Sequence, residues 1–243
     1  TENPKGQIEE GEAYNTSDDI ERNLIGELYN YIGGSSDSQG LQGTFRGVYD
    51  WNSFSTDEQM LPIRGGDWYD GGFWQHLYYH TWSSGDRTLY DTWCYLYKVV
   101  ILCNRSLNRI DQNRSRLSEH QYMVYTSEVR AIRALMYSYL LDMFGNIPLV
   151  TDYNVSLADV KQVSRSRLFS FVIDELQSIL PYLRQARSNQ EGVNYGRITR
   201  PVAEFMLIKL LLNTEIYADD DWTDETYPNG SNIFYTVGNQ RLN

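Results

Sequence analysis

Residues 118–148 read SEHQYMVYTSEVRAIRALMYSYLLDMFGNIP, and this stretch decides the fold. Val129, Ile132, Met136, Tyr139 and Met143 recur at helical spacing, and Ala131, Ala134 and Leu135 form a second apolar stripe. A helix with apolar residues on two sides packs between other helices. The spacing predicts a helix from about Ser118 to Phe144, stopped by Gly145 and sealed by Pro148.

Downstream, Leu168, Phe169, Val172, Ile173, Leu176, Ile179, Leu180 and Leu183 trace another helix, kinked at its end by Pro181. Thr199 reads as the N-cap of the next, with Pro201 near N1 and the pattern running through Ala203, Leu207, Leu210 and Thr214 to about Ala218. Upstream, a helix starts near Thr88, with Trp93, Leu96, Tyr97, Val100, Ile101, Asn104 and Leu107 on one face and Leu102 and Cys103 on another. Shorter helices are predicted over 69–79 and about 18–32, the latter capped by Asp18 and Asp19 and ended by Gly33-Gly34. Residues 35–68 hold six Gly or Pro punctuators, Gly40 to Gly66, and read as a long irregular stretch. An extended lead-in over 1–17 and an irregular tail over 219–243 complete the chain. The fold class is mainly α, in antiparallel helix pairs resembling tetratricopeptide repeats with long irregular loops.

The chain has 243 residues, and its 34 aromatic side chains are far too many for a disordered polymer. Twenty-one basic against 32 acidic residues give a net charge of −11, which repels phosphate backbones and excludes nucleic acid as a partner. The longest apolar run, Phe205 to Leu212, contains Lys209 and cannot span a bilayer. A start at Thr1, without Met or a signal core, fits either a trimmed cytosolic chain or a segment removed from a precursor. Cys94 and Cys103 fall nine residues apart on one helix, roughly 13 Å along the axis and on opposite faces, so both read as buried thiols that cannot bridge.

Nucleotide binding is excluded, because Gly65-Gly66 and Gly71-Gly72 lack the Lys-Ser/Thr of a phosphate loop. His76 and His80 stand four apart on a predicted helix, but Leu77 replaces the Glu of a zinc protease, and no metal is expected. Asp219, Asp220, Asp221, Asp224 and Glu225 read as a solvated acidic tail. Asp57, Glu58, Asp67 and Asp70 could supply the two carboxylates of a glycoside hydrolase, as any acidic loop could.

Residues 55–82, STDEQMLPIRGGDWYDGGFWQHLYYHTW, interleave seven aromatic rings with Asp57, Arg64, Asp67 and Asp70. Flat rings beside carboxylates and a forked guanidinium suit a pyranose, which has an apolar face and a polar rim. Phe73, Trp74 and Leu77 read as the buried face of a short helix, whereas Trp68 and Trp82, at its ends, are the candidates for contact with a ligand. Arg64 and Asp57 are equally well placed to pair with each other and pin the loop.

These residues resemble the SusD-like (RagB/SusD) outer-membrane nutrient-binding lipoproteins of Bacteroidetes. The resemblance runs through S-T-D-E at Ser55 to Glu58 with Pro62 and Arg64, the aromatic-Gly run ending in His80-Thr81-Trp82, and Trp93 with Tyr97 and Asn104. It continues through Arg133-Ala134 leading to Phe144-Gly145-Asn146-Ile147-Pro148-Leu149, the most specific piece, and Arg197 to Tyr217. It implies a non-enzymatic, cofactor-free protein on the cell surface, lipid-anchored to the outer membrane through an N-terminal Cys absent from this chain. Such a protein captures an oligosaccharide or other nutrient and delivers it to a TonB-dependent SusC-like transporter. Family members run to about twice this length, so the chain resembles an N-terminal half, residues 1–243 forming one helical region that continues into a C-terminal part. The resemblance assigns ligand contact to Asp57, Arg64, Trp68, Trp82 and Asp86. The rival readings are a helical-repeat protein-interaction scaffold and, behind it, a glycoside hydrolase.

Overall fold

A computed structural model of the chain describes residues 13–33, 41, 46–221, 223, 224 and 226, with the backbone of 235–237 and 240–242. The first twelve residues, Gly34, Gly40, Gly43, Glu225, Pro228, Gly230 and Gly238 lie outside the described residues. In chain order the elements begin with α1 (Ser17–Ile20), a π turn (Glu21–Gly26), α2 (Glu27–Gly33) and α3 (Val48–Phe54). Next come α4 (Phe73–Tyr78), α5 (Arg87–Gln112), α6 (Glu119–Phe144), β1 (Ile147–Pro148) and β2 (Gln162–Val163). They close with α7 (Arg165–Ile179), α8 (Arg200–Leu212), α9 (Thr214–Tyr217), β3 (Tyr235–Val237) and β4 (Gln240–Leu242). The chain divides into two units, one of Thr1–Leu28 with Val99–Asn243 and one of Tyr29–Lys98.

In the larger unit α6 is the central helix. Ser118 and Gln121 close a capping box at its start, and Gly145, at φ 68°, ends it where the sequence places the stop. Val129, Ile132 and Met136 of the first predicted stripe and Ala131 and Ala134 of the second are buried, whereas Tyr139, Met143 and Leu135 are half-buried. The neighbour α7 buries Leu168, Phe169, Val172, Ile173, Leu176 and Ile179. Between the two helices β1 and β2 pair antiparallel, Ile147 opposite Val163, and turn the chain back. Each fully buried aliphatic side chain contributes about 1.5–3 kcal/mol.

Charged side chains are built into this core as paired clusters. Glu128, 2% exposed, accepts from Arg197 through both carboxylate oxygens at 2.8 and 2.7 Å and also from Arg184. Both arginines reach Glu21 as well, at 2.7 and 2.6 Å, which ties the π turn to residues 184 and 197. In a second cluster Arg133 donates to Asn104 at 2.8 Å and to Glu175 at 2.9 Å, and Arg130 meets Glu175 at 2.6 Å. Burial by itself would raise the carboxyls of Glu21 and Glu175, but the facing arginines outweigh it and hold both below the usual carboxylate range.

Several expectations are corrected. The stretch 35–68 contains α3, a helix too short to show a period, flanked by Gly47 and held by burial of Val48 and Trp51. Residues 69–79 start as a 3-10 turn, Asp70–Gly72, because left-handed Gly71 and Gly72 delay the α-helix to Phe73. Thr16, rather than Asp18, caps α1, with Asp19 closing the box. Thr199 holds the N-cap position with Pro201 in the first turn as expected, but its buried hydroxyl makes no side-chain cap bond, and the run toward Ala218 breaks at Asn213 into α8 and α9. The tail forms a β3–β4 hairpin, Tyr235 opposite Leu242. Ile101 is exposed, and of the two thiols only Cys103 is buried, its pKa pushed up to about 12 by burial; Cys94 is exposed.

Of the acidic tail, Asp220, Asp221 and Asp224 are exposed as expected, whereas Asp219 is buried. Asp220, though exposed, accepts from the backbone and hydroxyl of Ser166 at 2.9 and 2.5 Å in the first turn of α7. A carboxylate there meets the unpaired N–H groups of a helix start. Burial would raise the Asp220 carboxyl, but these bonds outweigh it and lower it.

Candidate functional site

The aromatic segment lies in the unit Tyr29–Lys98, and its geometry starts from a residue in the stretch read as irregular. Trp51 on α3 is 5% exposed and stands edge-on to Phe73 at 6.0 Å and to Trp82 at 5.7 Å. Phe54 meets Trp74 at 4.8 Å, and Phe73 meets the same ring at 4.9 Å. Each edge-to-face pair adds about 0.5–1.5 kcal/mol beyond the area it buries. Trp74 donates its Nε1 proton to Asp70 at 2.7 Å, and Asp70 pairs with Arg46 at 3.1 Å. The Arg46 guanidinium in turn lies 4.6 Å from the Phe73 ring centre. Burial pushes the Asp50 carboxyl up despite the opposing charge of Arg46.

Backbone strain gathers in the same place. Among the described residues Arg46, Trp68, Asp70 and His80 are the non-glycine residues with positive φ, at 63°, 63°, 44° and 53°. Each such conformation costs about 1–3 kcal/mol and persists only where the surroundings over-determine it, which happens most often at binding and active sites. His80 shows what holds it: its Nε2 lies 2.7 Å from the Ser55 carbonyl and its ring 5.1 Å from Trp82.

Of the residues singled out by sequence, Trp68 and Trp82 present open ring surface, 54% and 38% exposed. Trp74 and Leu77 are buried, as expected of the inner face of a short helix, and Phe73 is half-buried. Asp57 and Arg64 are both exposed, and no ion pair joins them among the described residues; Arg64 instead pairs its backbone with Asp67 across Gly65-Gly66. Asp86 folds its carboxylate onto the Ser83 N–H at 2.5 Å, just ahead of α5. The structure therefore joins Trp82 to its support, and among the described residues no hydrogen bond or ion pair gathers Asp57, Arg64 and Asp86 around one point.

Sequence reading missed Trp51, Arg46 and the role of His80. His76 and His80 do not share a helix face, since α4 ends at Tyr78; His76 bonds Thr81 at 2.7 Å and His80 turns to Ser55. The described residues contain no group of three or more His, Cys, Asp or Glu side chains able to hold a metal. No described helix is long and apolar enough to cross a membrane.

Comparison with known proteins agrees with this architecture. The SusD-like_3 family, described as "Starch-binding associating with outer membrane", matches residues 46–181. The chain belongs to this SusD-like family. A SusD-like protein of Bacteroides ovatus is 27% identical over 86% of this chain and 35% of its own length. The starch-binding protein SusD of Bacteroides thetaiotaomicron is 25% identical over 76% of this chain and 32% of its own. The chain thus spans about a third of the length of these curated relatives. In fold it is similar to a laminarin-binding SusD-like protein, with a TM-score of 0.63 and 21% identity over 84% of this chain and 42% of that one. Surface glycan-binding protein A of Bacteroides uniformis gives a TM-score of 0.63 and 21% identity over 83% of this chain and 43% of its own.

Proposed function

We propose that this chain is the N-terminal part of a surface glycan-binding protein that captures oligosaccharide and does not cleave it. The observation that carries the reading is the pair of open indole faces, Trp68 and Trp82, each set in edge contact with a buried tryptophan, Trp74 and Trp51. A rigid, exposed ring offers a pyranose its apolar face without the cost of ordering a flexible side chain. Asp57, Arg64 and Asp86 would supply polar contacts at the rim. Asp70, a carboxylate of the aromatic segment, is committed to Trp74 and Arg46, which favours binding over acid-base work.

Family membership supports association with the outer membrane; a lipid anchor ahead of this chain and delivery of the captured glycan to a TonB-dependent SusC-like transporter complete the proposal. Affinity electrophoresis of the chain and of the full-length protein through gels loaded with starch, laminarin and other glycans tests the reading. Retardation of both supports a sugar site in this part; retardation of neither rejects it.

A second reading has one observation of its own. In the larger unit α6 and α8 flank a groove of about 360 Å³ lined by Leu135, Tyr139, Asp142, Phe205, Lys209 and Tyr217, and Phe205, Ile208 and Leu212 leave an apolar stripe on α8 exposed. That is what a helical protein-interaction scaffold would present, and pull-down of a partner without any glycan retardation would favour it.

A further inference from the structure

Residues 29–98 carry eight carboxylates, Asp37, Asp50, Asp57, Glu58, Asp67, Asp70, Asp86 and Asp91, against four basic side chains. Three of those four are engaged within their own unit. Arg46 pairs with Asp70, Arg87 holds Asp91 at 2.8 Å, and Lys98 lies 4.6 Å from the Tyr31 ring centre. The fourth, Arg64, faces Asp67 across a two-glycine turn.

Two tethers bring carboxylates toward Trp82. Through one, the Ser55 carbonyl is tied to His80, whose ring meets Trp82, and Asp57 and Glu58 follow two and three residues after Ser55 in the chain. Through the other, Asp86 is bonded to Ser83, the residue next to Trp82. An acidic group on a sugar stacked on Trp82 meets the like charge of Asp86 and the net negative charge of residues 29–98, an effect screened beyond about 10 Å at 0.1 M salt. The indole face itself carries the negative side of the ring quadrupole and attracts C–H and cationic groups, not anions.

We propose that this site selects by charge, accepting glycans that carry no acidic groups and turning away those that bear uronate, carboxymethyl or sulfate. The inference rests on the glycan-binding reading above and gives it a ligand class.

The test titrates the protein with starch and laminarin, with their carboxymethyl and sulfated derivatives, and with hydroxyethyl starch as a neutral derivative of similar bulk. Repulsion of this kind predicts that the acidic derivatives bind about tenfold or more weakly than their parents near 0.01 M salt, with the gap closing near 1 M. The neutral parents and hydroxyethyl starch keep their affinity at both. Asp57→Asn combined with Glu58→Gln narrows the gap. An acidic derivative that equals or exceeds its parent at low salt overturns the charge selection while leaving glycan binding intact. Binding of none of the polymers rejects the glycan reading itself.

Discussion

The imidazole Nε2 of His80 sits 2.7 Å from the carbonyl oxygen of Ser55, 25 residues earlier in the chain. Acting as donor, the ring fastens the end of α3 to the segment that carries Trp82, while its own backbone is held at φ 53°. One bond thus ties the residue that follows α3 to the ring that packs against Trp82.

Replacing His80 separates these roles. His80→Gly relieves the left-handed strain, worth about 1 kcal/mol, but removes the tether. Thermal denaturation is expected to change by no more than about 1 kcal/mol in either direction, while glycan affinity falls. Unchanged affinity would show that Trp82 is oriented by Trp51 alone.

Trp68→Ala is expected to weaken glycan binding by about 1–3 kcal/mol and to cost about 0.5–1.5 kcal/mol of stability through the lost edge contact with Trp74. Trp82→Ala should lose binding similarly and a like amount of stability from the edge contact with Trp51. Calorimetric titration beside urea denaturation separates the binding loss from the stability loss in each variant, and full affinity in both would remove the platform.

Glu128→Ala leaves Arg184 and Arg197 facing a site from which the shared carboxylate is gone. Breaking a buried pair in this way costs about 3–5 kcal/mol. The exposed Arg87–Asp91 pair offers a control, where Asp91→Asn should cost under about 1 kcal/mol. Equal effects in chemical denaturation would mean that the Glu128 cluster is solvated.

Acid sensitivity follows from the same clusters. Glu21 and Glu175 titrate below their ordinary value of 4.5 in the folded chain. Their contribution is fully present above that value and is lost as the pH falls through the lowered folded values. Asp50, raised by burial above its ordinary 3.8, works in the opposite sense, and its ionisation opposes folding at neutral pH. Melting curves should therefore hold steady from neutrality to about pH 5 and drop below about 4.5, with Glu175→Gln flattening the drop and Asp50→Asn neutral or stabilising near pH 7. A midpoint that stays constant to pH 3 would contradict this account.

The sequence by itself determined the long helices. The 26-residue helix Glu119–Phe144 and the 15-residue helix Arg165–Ile179 repeat an apolar side chain every three or four positions over several turns, and Gly145 and Pro148 punctuate the gap between them. Such periodicity is local and survives any tertiary context that covers it. It also picked out Trp68 and Trp82, because rings beside glycine-rich or polar loops are seldom buried on all sides. Tertiary structure alone decided the rest. Helix α3 spans seven residues, fewer than a helix needs to persist unaided, and it exists because Trp51 finds Phe73 and Trp82 to pack against. The partners of His80, Asp220 and Glu128 lie 25, 54 and 56 to 69 residues away, so no spacing rule could join them. Local sequence encodes period and punctuation, whereas the pairing of a buried charge or the support of an exposed ring depends on which distant segment folding brings alongside.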